Sequence, residues 1–501
     1  MKGLMILGTA SDVGKSLITT AICRMFANEG VKVAPFKSQN MSNNSYVTLD
    51  GNEIGRAQGI QAEAAKTEAS VYMNPILLKP KSELQSEVVL LGKVLNTISG
   101  KSYRDTFYEK GLAVIKDSLT MLSESYDVIV MEGAGSPVEI NLKEKELVNM
   151  KVAEIAEVPA ILVADIDRGG VFASIVGTLE LLTPKERRRV KGIIINKFRG
   201  DQTLFDDGVS WIEERTGIPV LGVIPYMDHM IEGEDSLSIA ERFSAKGKGS
   251  IDVAVVKIPY ISNYSDIEPF LHEVDISIRW IERIEDFGNP DALIIPGTKS
   301  TISDLQFLMD KGLVEVIRSY VNGGGMIVGI CGGYQMMCKE LVDPVGVDTG
   351  EANWAVQGLG IIPARTIFQE EKTTVRVEGK LNSQINGKKI HLEGYEIHLG
   401  ETEFHPNEDI TPFLIKKDGE MDGYYKNDGQ IIGTYLHHLF HNDGFRNHWL
   451  DKIRKSKGLP SRESISLHSL KDKRYDDLAE LVKENLDWDQ IKRVVAQWQE
   501  S

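Results

Sequence analysis

The sequence predicts an α/β protein made of two doubly wound parallel-sheet domains, and three observations predict it. The first is a series of short runs apolar on both faces: Leu4–Leu7, Lys32–Phe36, Val128–Met131, Ala160–Ala164, Gly192–Asn196 and Val220–Ile224. Such runs read as buried parallel strands, and helical patterns such as Lys15–Glu29 and Ile54–Lys66 separate them. The second is a break at Ser244–Ser250, a polar stretch without periodicity, after which a new series begins with Val253–Ile258, Ala292–Ile295 and Met326–Ile330. The third is length: 501 residues exceed one ordinary core. The reading therefore places a first domain at 1–243, a linker at 244–250 and a second domain at 251–501. After Gly358 it expects antiparallel strands at Thr373–Glu378, Ile390–His398 and Gln430–Tyr435. The helical, charged segment Asp476–Gln499 is assigned to the second domain.

Composition narrows the function classes. At 42% hydrophobic and 26% charged residues, both domains can bury a core in the manner of soluble globular proteins. No apolar run approaches the roughly 18 residues of a membrane span, and the N-terminus lacks a secretory pattern. Three cysteines in so long a chain, Cys23, Cys331 and Cys338, read as thiols of a reducing cytoplasm. The net charge of −16 argues against nucleic-acid binding. It also requires an anionic substrate to be drawn by local Lys and Arg.

The first motif follows the first strand. Gly8, Thr9, Asp12, Val13, Gly14, Lys15 and Ser16 stand in a glycine-rich loop that opens a helix, the context of a phosphate cradle for ATP. Lys15 is assigned to the β/γ-phosphates and Ser16 to Mg²⁺. Five residues rather than four separate the two glycines. That spacing resembles the loop of dethiobiotin synthetase and its relatives, P-loop enzymes that use ATP to activate a carboxyl-type group. Glu132, at the end of a buried strand, is the expected second metal ligand. Asn196, ending another, either reads the adenine edge or caps a turn. The resemblance further implies a catalytic role for Lys37, because the matching region carries a lysine.

The second motif, Gly329-Ile330-Cys331-Gly332-Gly333, follows a predicted strand. It fits an elbow in which small neighbours permit a strained turn and the helix N-terminus favours a thiolate. Cys23 and Cys338 read as core residues on helices. His437 is the candidate base, at the end of a strand-like run. Gly297 and Gly332 are the candidate oxyanion donors. Together these residues resemble the triad-type (class I) glutamine amidotransferase domain, with its flavodoxin-like fold. One departure stands out: no Pro-Glu follows the histidine, so His437 is expected to be oriented by a backbone carbonyl or a water.

Further stretches extend the likeness along nearly the whole chain: Pro35 to Ser45, Ile54 to Gln58, Met73 to Pro80, Glu132 to Pro137, Asp165 to Phe172, Gly222 to Tyr226, Ser262 to Asp266, Gly394 to His398 and Gly433 to His437. In this order they resemble the adenosylcobyric acid synthases of cobalamin biosynthesis. The resemblance implies amidation of the b, d, e and g carboxylates of adenosylcobyrinic acid a,c-diamide, a corrinoid, with ATP, Mg²⁺ and glutamine. Lys37, Arg56, Lys79 and Arg168 are then candidates for binding substrate carboxylates. Glu87, Glu146 and His438 depart from the family pattern, the first two beside expected corrinoid or metal contacts. Two other readings stay open: a cobyrinic acid a,c-diamide synthase, and a partitioning-type ATPase switch with a non-catalytic second domain.

Overall fold

Six apolar segments of the first half assemble as the periodicity demands. The parallel sheet runs in the order Val220–Pro225, Val190–Phe198, Ala160–Asp165, Gly3–Gly8, Val128–Glu132 and Val33–Phe36. The computed structural model describes residues 1–80, 85–99, 107–227, 249–382, 385 and 389–498. It divides into two units, Met1–Glu232 with Ser469–Ser501, and Gly233–His468. The linker expected at 244–250 lies outside the described residues as far as 248.

Gly3–Gly8 sits inside the first sheet with parallel neighbours on both sides. Every residue of this strand is buried, which explains its unbroken apolar run. Its carboxyl end, where open α/β sheets present ligand sites, leads into the glycine-rich loop and the helix Lys15–Asn28. The helix expected from Ile54 starts later: Glu53–Gly55 pairs with Ser45–Val47 as a short hairpin, and the helix is Arg56–Ala64.

The second unit has its own sheet, ordered Ile276–Ile281, Ile251–Val256, Ala292–Ile295, Met326–Ile330, Ile431–Thr434 and Tyr424–Lys426. The segment expected as antiparallel at Gln430–Tyr435 is instead the parallel partner of Met326–Ile330; only the edge strand Tyr424–Lys426 runs against it. The other two expected antiparallel segments do form one long hairpin, Ile362–Leu381 with His391–Phe404. Cys338 begins the strand Cys338–Asp343 rather than continuing the helix of Cys331, which ends at Met337. It remains fully buried, as does Cys23.

The terminal helical segment also departs from its expected place. Helices Leu467–Glu484 and Trp488–Gln497 lay Tyr475, Leu478, Val482, Trp488 and Ile491 into one core with Leu4, Ile18, Ile22 and Phe26 of the first unit. Arg24, with no exposed surface, binds Asp476 at 2.8 Å and Asp472 at 2.8 Å. Burying each of those large apolar side chains contributes about 1.5–3 kcal/mol, so together they rival the roughly 5–15 kcal/mol net stability of a domain. A chain ending at residue 468 is therefore expected to lose the cooperative thermal transition of the first unit. Calorimetry showing that transition unchanged would refute the assignment. Among the described residues, no helix is long and apolar enough to cross a membrane.

Candidate functional site

In the first unit the loop after Gly8 is built by backbone constraints. Gly14 has φ 99°, and a Cβ there would lie 2.1 Å from the Asn196 amide nitrogen. Glycine is required on both counts. The Thr9 N–H donates to the Val163 carbonyl at 3.0 Å, and Asp12 takes a left-handed φ of 58°. The Asn196 amide donates to the Val13 carbonyl at 2.8 Å. Asn196 thus braces the loop through its amide nitrogen.

The polar groups converge on one carboxylate. Glu132 is buried and accepts Ser16 Oγ at 2.8 Å and Lys37 Nζ at 2.9 Å on Oε1, and Gln61 Nε2 at 2.6 Å on Oε2. Burial alone would raise its pKa; the Lys37 ammonium and the three donors overcome that and hold it below the usual carboxylate range. Lys15 donates to the carbonyls of Ala10 at 2.8 Å and Gly135 at 3.0 Å. Burial, together with Lys37, lowers its pKa to about 8 against the opposing pull of Glu132 and Asp12. This is a desolvated pair of cations beside a buried carboxylate.

The predicted substrate cations fall differently. Lys79 is 4% exposed and bonded to Ser45 and Glu53, so its role as a carboxylate grip is corrected: it is engaged inside the protein. Arg56 is likewise buried, at 3% exposure. Arg168 alone of the three is open, with 64% of its side chain exposed beside Asp12 at 3.6 Å. Glu87 is buried opposite Lys79 in the sheet. Glu146 accepts the backbone N–H groups of Val148, Asn149 and Lys151 at the start of the helix Met150–Ala156.

In the second unit Cys331 ends its strand at φ 50°, ψ −110°, a strained elbow. A Cβ at Gly333 would lie 2.0 Å from the Ile295 carbonyl oxygen, and one at Gly329 2.4 Å from Met337 Sδ, so the elbow tolerates only glycine at both places. The Cys331 N–H donates to Thr434 at 2.8 Å, and its Sγ lies 3.3 Å from the Ile397 carbonyl. A Cβ at Gly297 would lie 2.9 Å from His437 Cε1 and 3.7 Å from Cys331 Cβ; one at Gly332 would lie 3.1 Å from the Thr298 nitrogen. The two candidate oxyanion glycines thus border Cys331.

The orienting group that the sequence reading left to a carbonyl or water is a carboxylate. Asp266 Oδ2 lies 2.7 Å from His437 Nδ1, and its Oδ1 accepts the His438 N–H at 2.7 Å. Tyr395 stacks on the imidazole at 5.3 Å, and Asn263 lies 3.3 Å from Nε2. Asp266 was missed as an acid because it stands 171 residues before the histidine, although Ser262 to Asp266 was among the recognised stretches. Burial would lower the His437 pKa, but the charges of Asp266 and of Cys331, with hydrogen bonds from both, raise it to about 10.

The stability contributed by the His437–Asp266 pair depends on pH. The folded pKa exceeds the ordinary 6.5, so the ion pair stabilises fully below pH 6.5 and fades as pH rises through about 10. Asp266→Asn is expected to flatten the melting temperature across this window and to lower glutamine hydrolysis by about 10²–10⁴-fold. Melting curves and ammonia release over the same pH range check both; an unchanged rate would remove Asp266 from the site.

Residues 4–237 match the family described as the CobQ/CobB/MinD/ParA nucleotide binding domain, and residues 252–445 match the CobB/CobQ-like glutamine amidotransferase domain. The chain is 50% identical over 501 residues to the cobyric acid synthase of Geobacillus thermodenitrificans, covering 99% of each. It is 49% identical to that of Geobacillus kaustophilus, covering 99% of this chain and 98% of the relative, and 47% identical to that of Geobacillus sp. strain WCH70, with the same coverage. The chain belongs to the cobyric acid synthase family.

Proposed function

We propose that this chain is a cytoplasmic ligase that amidates the b, d, e and g carboxylates of adenosylcobyrinic acid a,c-diamide, using ATP for activation and glutamine as nitrogen source. The observation that carries the reading is the convergence of Lys37, Ser16 and Gln61 on Glu132 behind the phosphate loop. A carboxylate is a poor electrophile, and the loop supplies what its phosphorylation needs. The substrate oxygen attacks the γ-phosphorus of ATP, ADP leaves, and an acyl phosphate forms. Lys15 and Lys37 neutralise charge on the transferring group.

Ser16 Oγ and Glu132 Oε1, 2.8 Å apart, are hard oxygen donors of the kind that hold Mg²⁺ with its waters. When bound, the ion supplies charge neutralisation on phosphate oxygens.

In the second unit the Cys331 thiolate attacks the side-chain amide carbon of glutamine, with the oxyanion taken by the N–H groups of Gly297 and Gly332. His437, held by Asp266, protonates the departing ammonia, leaving a thioester on Cys331 that water hydrolyses with His437 as base. Ammonia then attacks the acyl phosphate carbon and phosphate departs, giving the amide. Mass spectrometry of the corrinoid after incubation with glutamine and MgATP is expected to show four new amides on the a,c-diamide. Consumption of cobyrinic acid with the a,c-diamide untouched would overturn the substrate assignment.

A further inference from the structure

We infer that Gln61 is a positioning residue of the phosphate-transfer site, fixing the carboxylate of Glu132 so that Oε1 is the oxygen presented to Ser16, Lys37 and a divalent cation. The inference rests on the reading that Ser16 and Glu132 hold that cation.

The argument begins with hydrogen-bond chemistry. A carboxylate ionised at neutral pH only accepts, so the side chain 2.6 Å from Glu132 Oε2 must present its amide nitrogen there. This fixes the direction of the Gln61 carboxamide. It also separates the two oxygens of Glu132 by function. Oε2 is tied to a neutral, unionisable donor on the helix Arg56–Ala64, while Oε1 takes the hydroxyl of Ser16 and the ammonium of Lys37. Without Gln61 the carboxylate can rotate toward Lys37 with both oxygens, a bidentate pairing that would close off the oxygen shared with Ser16.

The second observation concerns the other end of the amide. Gln61 has no exposed surface, and its Oε1 has no hydrogen-bond partner. Leaving a buried acceptor unmet costs about 1–3 kcal/mol. A leucine would fill the same volume without that cost, so packing does not account for a glutamine here. An acceptor held beside a cation's carboxylate ligand suits a donor that arrives with the ligand, such as a water of its hydration shell. Outer partners of this kind orient the ligating carboxylate, and their loss typically weakens metal affinity or activity about 10–100-fold.

The test uses the full chain with Mn²⁺ as probe in the presence of ADP, its binding read by the loss of the free-ion EPR signal. Gln61→Leu is expected to weaken Mn²⁺ binding by about 10–100-fold. Gln61→Glu, nearly the same shape but an acceptor facing an acceptor, is expected to weaken it at least as much. Glutamine hydrolysis in the absence of ATP reports that the chain is folded and is expected to be retained in both. Equal Mn²⁺ affinity in wild type and both variants overturns the role of Gln61. Failure of the wild-type protein itself to bind Mn²⁺ overturns the underlying metal reading instead. Where Gln61→Leu proves poorly folded, Gln61→Glu at matched melting temperature decides: weakened Mn²⁺ binding supports the inference, and wild-type affinity refutes it.

Discussion

Replacing Cys331 with alanine is expected to abolish glutamine-dependent amide formation, by at least about 10⁴-fold, because the nucleophile has no substitute nearby. Of the other thiols, Cys23 is buried in a helix of the first unit and burial pushes its pKa up, to a range where no thiolate forms at neutral pH. Cys338 is buried on a strand, and burial raises its thiol to about 11. Neither can take over. Activity with added ammonia is expected to persist in Cys331→Ala, since the proposed ATP activation uses Lys15, Lys37 and Glu132 and none of the elbow. Corrinoid product measured with ammonium chloride in place of glutamine makes the check. If ammonia fails to rescue the variant, the division of labour between the two units is wrong.

The complementary change, Lys15→Ala, is expected to remove amide synthesis from either nitrogen source by at least about 10³-fold. The physical reason lies in its surroundings. Lys15 is 7% exposed, bonded to two loop carbonyls and depressed to about pH 8 by burial, so its charge is desolvated and acts on phosphate oxygens with little screening. Glutamine hydrolysis at Cys331 is expected to survive, measured as glutamate release without ATP. Loss of both activities in a folded Lys15→Ala protein would contradict two separable sites.

Much of this was legible in the residues. The strands of the first sheet announce themselves because a parallel strand covered on both faces must be apolar throughout. The phosphate loop and the cysteine elbow are legible because each needs glycine at positions where a Cβ collides. Gly14 against Asn196 and Gly333 against Ile295 show that directly. In the fold Ser16 and Lys37 meet Glu132, Lys15 binds the loop carbonyls of Ala10 and Gly135, and Cys331 stands at the end of the strand Met326–Ile330.

Other features required the folded chain. The strand at Ile431–Thr434 was misread as antiparallel because direction is a property of a pair: its neighbour Met326–Ile330 is about a hundred residues earlier, and nothing local to either run encodes it. The C-terminal helices carry an apolar stripe, but a stripe does not say which core it will meet; in the fold it packs on Leu4, Ile18, Ile22 and Phe26 of the first unit, with Arg24 paired to Asp472 and Asp476. Lys79 and Arg168 are both basic residues in recognised stretches, yet one is buried on Glu53 and the other open to solvent. Charge is written in the sequence; exposure is not.

By itself, then, the sequence determined where the two candidate devices stand, because a phosphate-type loop and a strained cysteine elbow are local features whose glycines and polar side chains lie within a few residues of one another. Only the tertiary structure decided how those groups are held. Asp266 reaches His437 across 171 positions and Gln61 reaches Glu132 across 71, and such partnerships arise from strand order and helix packing rather than from any spacing along the chain.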